Sequence, residues 1–512
     1  MKQFTDLTCH ARTVLVALGF SSLTAAMAAG TDLETVTAQA DATGTAQDAG
    51  APTTAHQPRD PASGSGSVKG VFLPDQNETK LNPPSAANIG ARPPPGAPPA
   101  RTGPLSGIGD ALEAHGVELG LYLANGHFAN PSVGVSTGKS VDYFELGFSA
   151  NADLQKLIGI YNTKLHFTEL WQPPSNNTAN FSSQVGAGLA PFPPTQTNSN
   201  LVKLTLSHEF FDEKLHVEYG RMNLTDDFMV ANMCTGCFAA TPLITLGVPP
   251  RDKSLWGARM SYALSDRTRL GFAVVEDNYD LQTTSTGWNW NGSDTRKGWI
   301  GVGNLMYKSD FSNSQLPLNA EVGVYHNTKP YVDDGSFPTP VPGPDGALIP
   351  VKTHDGGTWG LYGQARKVVW KEADAQGPFP PNVALYGGAY VTPGAGQAFP
   401  IEAFAGVEYG GFLKNNPIAS VGSTWRYLQL SKGRAAFEQQ YGYGSNQVHR
   451  DTFAFDVHGQ YGLAPGVLIN ASLQYFLNPN RMGSSLSTGN TRSGWLFGVF
   501  LVVDLGRITG LK

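Results

Sequence analysis

The chain has 512 residues, a formal net charge of −6, 40% hydrophobic residues and only 15% charged ones. Soluble globular domains usually carry about a quarter of their residues as charges, and nucleic-acid binders carry an excess of Lys and Arg; the composition argues against both. Sixty glycines and 10% aromatics suit many strands joined by tight turns instead.

Residues 1–28 read as a secretory signal. Lys2 and Arg12 supply positive charge, Thr13 to Phe20 a short apolar core, and Ala26-Met27-Ala28 a cleavage site. The apolar run is too short to anchor the chain in a bilayer. Residues 29–104 are rich in Ala, Thr, Gly, Ser and Pro, with Phe72 as their only aromatic. Such a segment cannot bury enough apolar surface to order itself, and the prolines around Pro93-Pro94-Pro95 lack the donor a strand ladder needs. It is expected to be a disordered, flexible periplasmic extension, leaving 105–512 as the folded unit.

From residue 105 the pattern has period two. Strands are expected near 115–124, 143–154, 160–171, 201–210, 214–224, 255–264, 268–277, 298–308, 317–327, 357–370, 383–391, 400–412, 418–430, 451–462, 466–477 and 494–505. The clearest is Val467 to Leu477, where Val467, Ile469, Ala471, Leu473, Tyr475 and Leu477 alternate with Asn470, Ser472 and Gln474. Segments of about ten residues match strands crossing a bilayer at a tilt. An exported chain of alternating strands, with no apolar helix long enough to span, points to an all-β fold: a transmembrane antiparallel β-barrel of about sixteen strands. Alternation alone also fits a soluble sandwich with its apolar face inward; the export signal and strand count favour the barrel.

Parity then divides the faces. Phe144, Leu146, Phe148, Ala150, Ala152 and Leu154 are expected to face lipid, with Glu145, Ser149, Asn151 and Asp153 inward. Tyr161, Leu165 and Phe167 face out, with Asn162, Lys164, His166 and Thr168 inward; Phe453, Phe455, Val457 and Tyr461 face out, with Asp456, His458 and Gln460 inward. Short links at Asp212-Glu213, Ser265-Asp266-Arg267 and Leu463-Ala464-Pro465 read as periplasmic turns. Long links at 172–200, 225–254, 278–297, 328–356 and 478–493 read as extracellular loops or loops folded into the lumen.

Cys9 lies in the signal. Cys234 and Cys237 remain as an even pair in an exported chain, which favours a small loop disulfide over a redox or zinc pair. The histidines lack paired ligand spacing, so no metal is assigned, and no cofactor motif or nucleophile elbow is present. Asp226 and Asp227 are adjacent in a loop, which does not place two carboxylates across a glycosidic bond. The chain is not expected to be an enzyme.

Gly220-Arg221-Met222-Asn223-Leu224-Thr225-Asp226-Asp227-Phe228 resembles a stretch of the carbohydrate-selective porin (OprB type) family. Leu255-Trp256-Gly257-Ala258-Arg259 resembles that family's WGAR strand. Leu463-Ala464-Pro465-Gly466, with Leu473-Gln474-Tyr475 and Asn478-Pro479, resembles a late hairpin, and Gly498-Val499-Phe500-Leu501 sits where its closing strand falls. The resemblance covers roughly 105–512. Phe500 stands where the closing strand usually carries Arg, and Ser431 to Phe437 departs from the usual late-loop pattern. The resemblance implies passive diffusion of small neutral sugars or polyols through the outer membrane of a Gram-negative cell, in contact with its lipid, with a homo-oligomer left open. The alternatives are a general or ion-selective porin and a secreted carbohydrate-binding or hydrolysing β-protein.

A sugar channel needs a constriction whose side chains replace water around hydroxyls. The candidate lining residues are Arg221, Asp226, Asp227, Glu169, Trp171, Glu145, Lys164, His166, Glu218 and Arg259. Arg221 shares parity with Val217 and Tyr219 and needs a bulge at Gly220 to turn inward. Trp171 offers either a stacking face to a sugar or a member of the interfacial aromatic girdle.

Overall fold

The computed structural model describes residues 102–172, 199–224, 228, 254–277, 288, 298–311, 313–334, 336, 341–342, 347–373, 375, 380–394, 397–441, 448–480 and 491–512. The strands are β1 (Val117–Asn130), β2 (Lys139–Asp153), β3 (Thr163–Trp171), β4 (Ser199–Phe210), β5 (Leu215–Met222), β6 (Leu255–Ala263), β7 (Thr268–Asp277), β8 (Gly298–Lys308), β9 (Leu318–Asn327), β10 (Tyr331–Val332), β11 (Val341–Pro342), β12 (Leu348–Ile349), β13 (Thr353–His354), β14 (Thr358–Lys371), β15 (Asn382–Val391), β16 (Ile401–Gly410), β17 (Ser420–Gln429), β18 (Asp451–Ala464), β19 (Val467–Leu477) and β20 (Gly494–Asp504). Sixteen of them, β1–β9 and β14–β20, form one closed antiparallel barrel in chain order. The other four make two small ribbons between β9 and β14, pairing β10 with β13 and β11 with β12.

Each stretch expected as a strand from its alternation is a stave of this barrel. Closure comes from β20 pairing with β1, Tyr122 opposite Asp504 through Ala129 opposite Phe497. No helix among the described residues is long and apolar enough to cross a membrane, so the strands are the crossing elements. The short links all lie at one end. Among the described residues, α1 (Ser106–Ala114), before β1, and α2 (Leu154–Ile158), between β2 and β3, lie at the same end. Helix α3 (Lys432–Tyr441) sits between β17 and β18 at the end of the long links, and α4 (Leu505–Thr509), after β20, joins α1 and α2 at the short-link end. The Leu105 N–H donates to the Thr509 carbonyl at 2.8 Å, fastening the segment before β1 to the one after β20.

The faces follow parity. Residues opposite each other in an antiparallel pair share a face. Phe144, Phe455, Val457 and Leu473 are exposed on the outside, while Glu145, Ser149, Asp456 and His458 are buried on the inside. The inner wall also carries rings. Tyr122 lies opposite Gly147, Tyr362 opposite Gly323, Tyr325 opposite Gly360 and Tyr386 opposite Gly406. A Cβ added at any of these glycines would run into the ring of its tyrosine partner. Each phenol therefore lies flat against a neighbour that has no side chain, a cross-strand pairing that compensates the glycine.

Most boundaries shift by a few residues, so that Tyr161 and Asn162 fall in the turn before β3, and three of the shifts have a clear local cause. β1 continues to Asn130, because beyond Ala124 the polarity reverses: Phe128 is buried inside and His127 turns outward to bond Asp142 at 2.7 Å. Such a stretch carries no apolar-out signal to read. β2 ends at Asp153, whose Oδ1 accepts from the Gln155 N–H at 3.0 Å and caps α2, so Leu154 is helical. Leu463 and Ala464 belong to β18; the turn is Pro465-Gly466, with Gly466 at φ 81°, where proline presets one turn residue and glycine supplies the left-handed next one.

Leu146→Arg or Phe455→Arg should block assembly, because a cation at the bilayer midplane costs about 2–4 kcal/mol. Ser149→Arg, on the opposite parity of β2, should insert and alter conductance. Heat-modifiable migration on gels measures this, and equal defects for both parities would contradict the face assignment.

Candidate functional site

The inner wall from β3 to β7 is built around Glu218. Its carboxylate accepts from Lys203 Nζ at 2.7 Å, Arg259 Nε at 2.9 Å and Thr205 Oγ1 at 2.5 Å; Arg259 Nη2 also contacts it, and His216 Nε2 is 3.5 Å away. Glu218 is wholly buried and Lys203 is 2% exposed. These residues come from three adjacent strands, and the period-two alternation of β4, β5 and β6 points them to the same side. Two cations thus share one carboxylate. His166 continues the row, bonded to Asn151 Oδ1 and Ser207 Oγ at 2.8 Å each.

Around the rest of the circumference, carboxylates are held by different means. Glu145 accepts from the hydroxyls of Tyr122 and Tyr143 and from Gln172 Nε2 at 2.6 Å. Glu321 accepts from Asn304 Nδ2 at 2.9 Å, Tyr362 Oη at 2.6 Å and Gln364 Nε2 at 2.9 Å, and Tyr390 Oη donates to Gln364 Oε1 at 2.7 Å. Arg366 pairs Glu408 at 2.8 Å and Arg426 pairs Glu402 at 2.7 Å. Asp456 bridges His458 and Ser472. Such charges are satisfied within the wall, so the lumen is lined by oriented dipoles and mixed charge.

Just after β5, at the start of the link to β6, the described residues Leu224 and Phe228 pack into the lumen. Leu224 and Phe228 are buried in one cluster with Ala273, Val275, Ile300, Tyr325, Tyr362 and Tyr390, all on inward faces of β7, β8, β9, β14 and β15. A Cβ at Gly271 on β7 would stand 3.2 Å from the Phe228 ring. The two feet of that link are tied by Arg221: its Nη2 donates to the Ser254 carbonyl at 3.0 Å, its Nε to Ser254 Oγ at 3.3 Å, and its guanidinium lies 5.8 Å from the Trp256 ring centroid.

Glu145, His166, Glu218 and Arg259 fall on this inner wall. Lys164 has the same parity but is exposed at the short-link end, opposite Asp153 and Ser207. Arg221 is a correction. The β4–β5 and β5–β6 registers run unbroken through Gly220, so no bulge turns the face, and Arg221 pairs with outward Leu204 and with Trp256. It is nonetheless wholly buried, and its bonds staple the base of the β5–β6 link. Glu169 and Trp171 also take outer parity, opposite Phe148 and Leu146. Glu169 is shielded there, accepting from the Ser199 hydroxyl and from Trp288 Nε1 at 3.0 Å. Trp171 is 38% exposed on the outside, as an interfacial ring would be. Asp226, Asp227, Cys234 and Cys237 lie outside the described residues. Among the described residues, no cluster of His, Cys, Asp or Glu could hold a metal ion.

Sequence reasoning passed over Tyr122, Gln172, Glu321, Gln364, Arg366 and Glu402. The signal for the later ones was present: they share inward parity on β9, β14 and β16. For Tyr122 it was hidden, because an aromatic at an inward position reads as a lipid-facing one.

Residues 141–497 match the model of the carbohydrate-selective porin, OprB family. The match covers more than half of the chain, and the protein belongs to this family. Porin B of Pseudomonas aeruginosa is 23% identical over 219 residues, 38% of this chain and 44% of that protein, so the chain matches less than half the length of this curated relative. The high-pH structure of Pseudomonas putida OprB superposes with a TM-score of 0.66 at 16% identity, covering 78% of this chain and 97% of that one. Family and closed barrel together define an outer-membrane protein of a Gram-negative bacterium, and both are those of channels rather than enzymes.

Glu218→Gln should leave Lys203 and Arg259 facing each other without a counter-charge. Breaking a buried pair costs roughly 3–5 kcal/mol, so the barrel should lose its compact, fast-migrating form at a clearly lower temperature. An unchanged transition would mean the three residues are not coupled.

Proposed function

We propose that the protein conducts small neutral sugars and related polyols passively across the outer membrane. The observation that carries this reading is the satisfaction of the lumenal charges by neighbours around most of the circumference. A wall of that kind offers many donors and acceptors to hydroxyls without the unpaired ring of one sign that an ion filter uses. Each such hydrogen bond replaces one to water, so its net worth is about 1 kcal/mol, or 1.5–3 kcal/mol with a charged partner. That is enough to favour entry and little enough to allow release. Glu145, His166, Glu218 and Arg259 are proposed wall contacts, and Asp226 and Asp227, beside the inward Phe228, are proposed to reach the constriction.

A general porin with anion preference is the second reading. It is favoured by the two cations that share Glu218. Single channels in planar bilayers separate the two. Glucose added to the bath should reduce ion current in a saturable way if sugars bind. Arg259→Gln, which leaves Lys203 to hold Glu218, should weaken that block and move ion preference toward cations. A wild-type current insensitive to a panel of monosaccharides and polyols would sink the sugar reading and leave the general one.

The segment 29–104 is proposed to be a periplasmic extension that takes no part in the barrel. A chain lacking residues 29–100, with the signal retained, should insert and conduct as the full chain does. Loss of insertion, read by heat-modifiable migration, would overturn this.

A further inference from the structure

The stretch from Ser431 to Phe437, which departs from the family's late-loop pattern, has a definite place at the mouth of the barrel. It begins α3. Ser431 starts the helix as its cap, its Oγ accepting from the Arg434 N–H at 2.9 Å. Arg434 pairs with Glu438 one turn on, at 2.6 Å, and its guanidinium lies 5.0 Å from the Phe437 ring centroid.

The helix is seated against the inside of the wall. Ala435 is buried in a cluster with Leu428, Leu430 and Phe399, with Ala398 and Val448 packed on it. Leu428 lies opposite Glu402 and Thr452, on the inward face of β17, and Leu430 follows with the same parity. The Ser431 N–H donates to the Ala398 carbonyl at 2.8 Å, fastening the start of α3 to the β15–β16 link. On its first turn, Gly433 lies so close to Asp334, from the β9–β14 link, that an added Cβ would enter that carboxylate. Asp334 therefore stands at the positive end of the helix dipole. Since β14, β15 and β16 separate β9 from β17, α3 is held at its start from two places on the rim. Lys432, Ala436 and Gln439 form an exposed stripe one turn apart, flanking the buried Ala435.

We propose that α3, latched by Asp334, is a collar at the extracellular mouth that sets the size limit of this channel and presents Lys432 and Gln439 to the hydroxyls of an entering sugar. It rests on the sugar-diffusion reading. A helix is about 10 Å across with its side chains, so one laid along the inner rim removes a large share of the entrance. The collar would admit monosaccharides in preference to disaccharides.

The test replaces Lys432 to Tyr441 with a Gly-Ser linker of equal length in the full chain. A second variant, Gly433→Val, keeps the helical segment but drives a branched side chain into Asp334, loosening the latch that holds α3 to the rim. Heat-modifiable migration establishes that each barrel is folded. Ion conductance in planar bilayers should rise roughly twofold for the linker variant and less for Gly433→Val, as the entrance widens by about a helix width. In proteoliposome swelling, the rate for sucrose relative to glucose should rise several-fold on the order of that widening. Unchanged conductance and an unchanged sucrose-to-glucose ratio in folded barrels of both variants would overturn the collar. A wild-type protein that passes neither sugar would instead overturn the sugar reading, and the conductance comparison would still decide whether α3 narrows the mouth.

Discussion

In hydrocarbon no water is available to a backbone N–H or C=O, and an unpaired one costs several kcal/mol. A sheet that crosses a membrane therefore cannot have an edge. Everything else here depends on how this chain meets that demand, through the eight-residue seam between β1 and β20. The seam fixes the even strand count, and an even count brings residues 105 and 509 to the same end, where they bond. It also gathers the long links at the other end. The channel mouth is thus assembled from loops that have length to spare, while the opposite rim is kept short by turns such as Pro465-Gly466.

Inside the barrel the demand changes from apolar to polar, and the solution is local pairing. Lys203, Glu218 and Arg259 sit on adjacent strands, where inward side chains at facing positions come within bonding reach of one another. Glu145 and Glu321 accept from tyrosine hydroxyls and amides. The two arrangements give the wall patches of different character.

The barrel was legible in the sequence because alternation is a local property: Val467 to Leu477 declares its two faces within eleven residues. Long-range placement was less so. Arg221 was expected in the pore lining because its guanidinium can fork onto hydroxyls and a bulge at Gly220 would turn it inward. In the structure it bonds Ser254 and lies against Trp256, both at the far foot of a long link. Glu169 is likewise satisfied by Trp288, 119 residues away. No parity rule carries that information. The inward turn of β1 beyond Ala124 escaped for a related reason: Phe128 is an apolar residue on the polar side, explained by the buried cluster it joins with Tyr143 and Phe500.

The flat tyrosines carry a consequence for how such a channel can diverge. Tyr122, Tyr325, Tyr362 and Tyr386 each rest on a glycine, so the calibre at those levels depends on residues that contribute no side chain at all. A single methyl at Gly147 would lift the Tyr122 ring from the wall, detach its hydroxyl from Glu145 and swing a phenol toward the axis. The bore of this barrel is written partly in its glycines, and drift at those positions would retune it while every polar residue stayed the same.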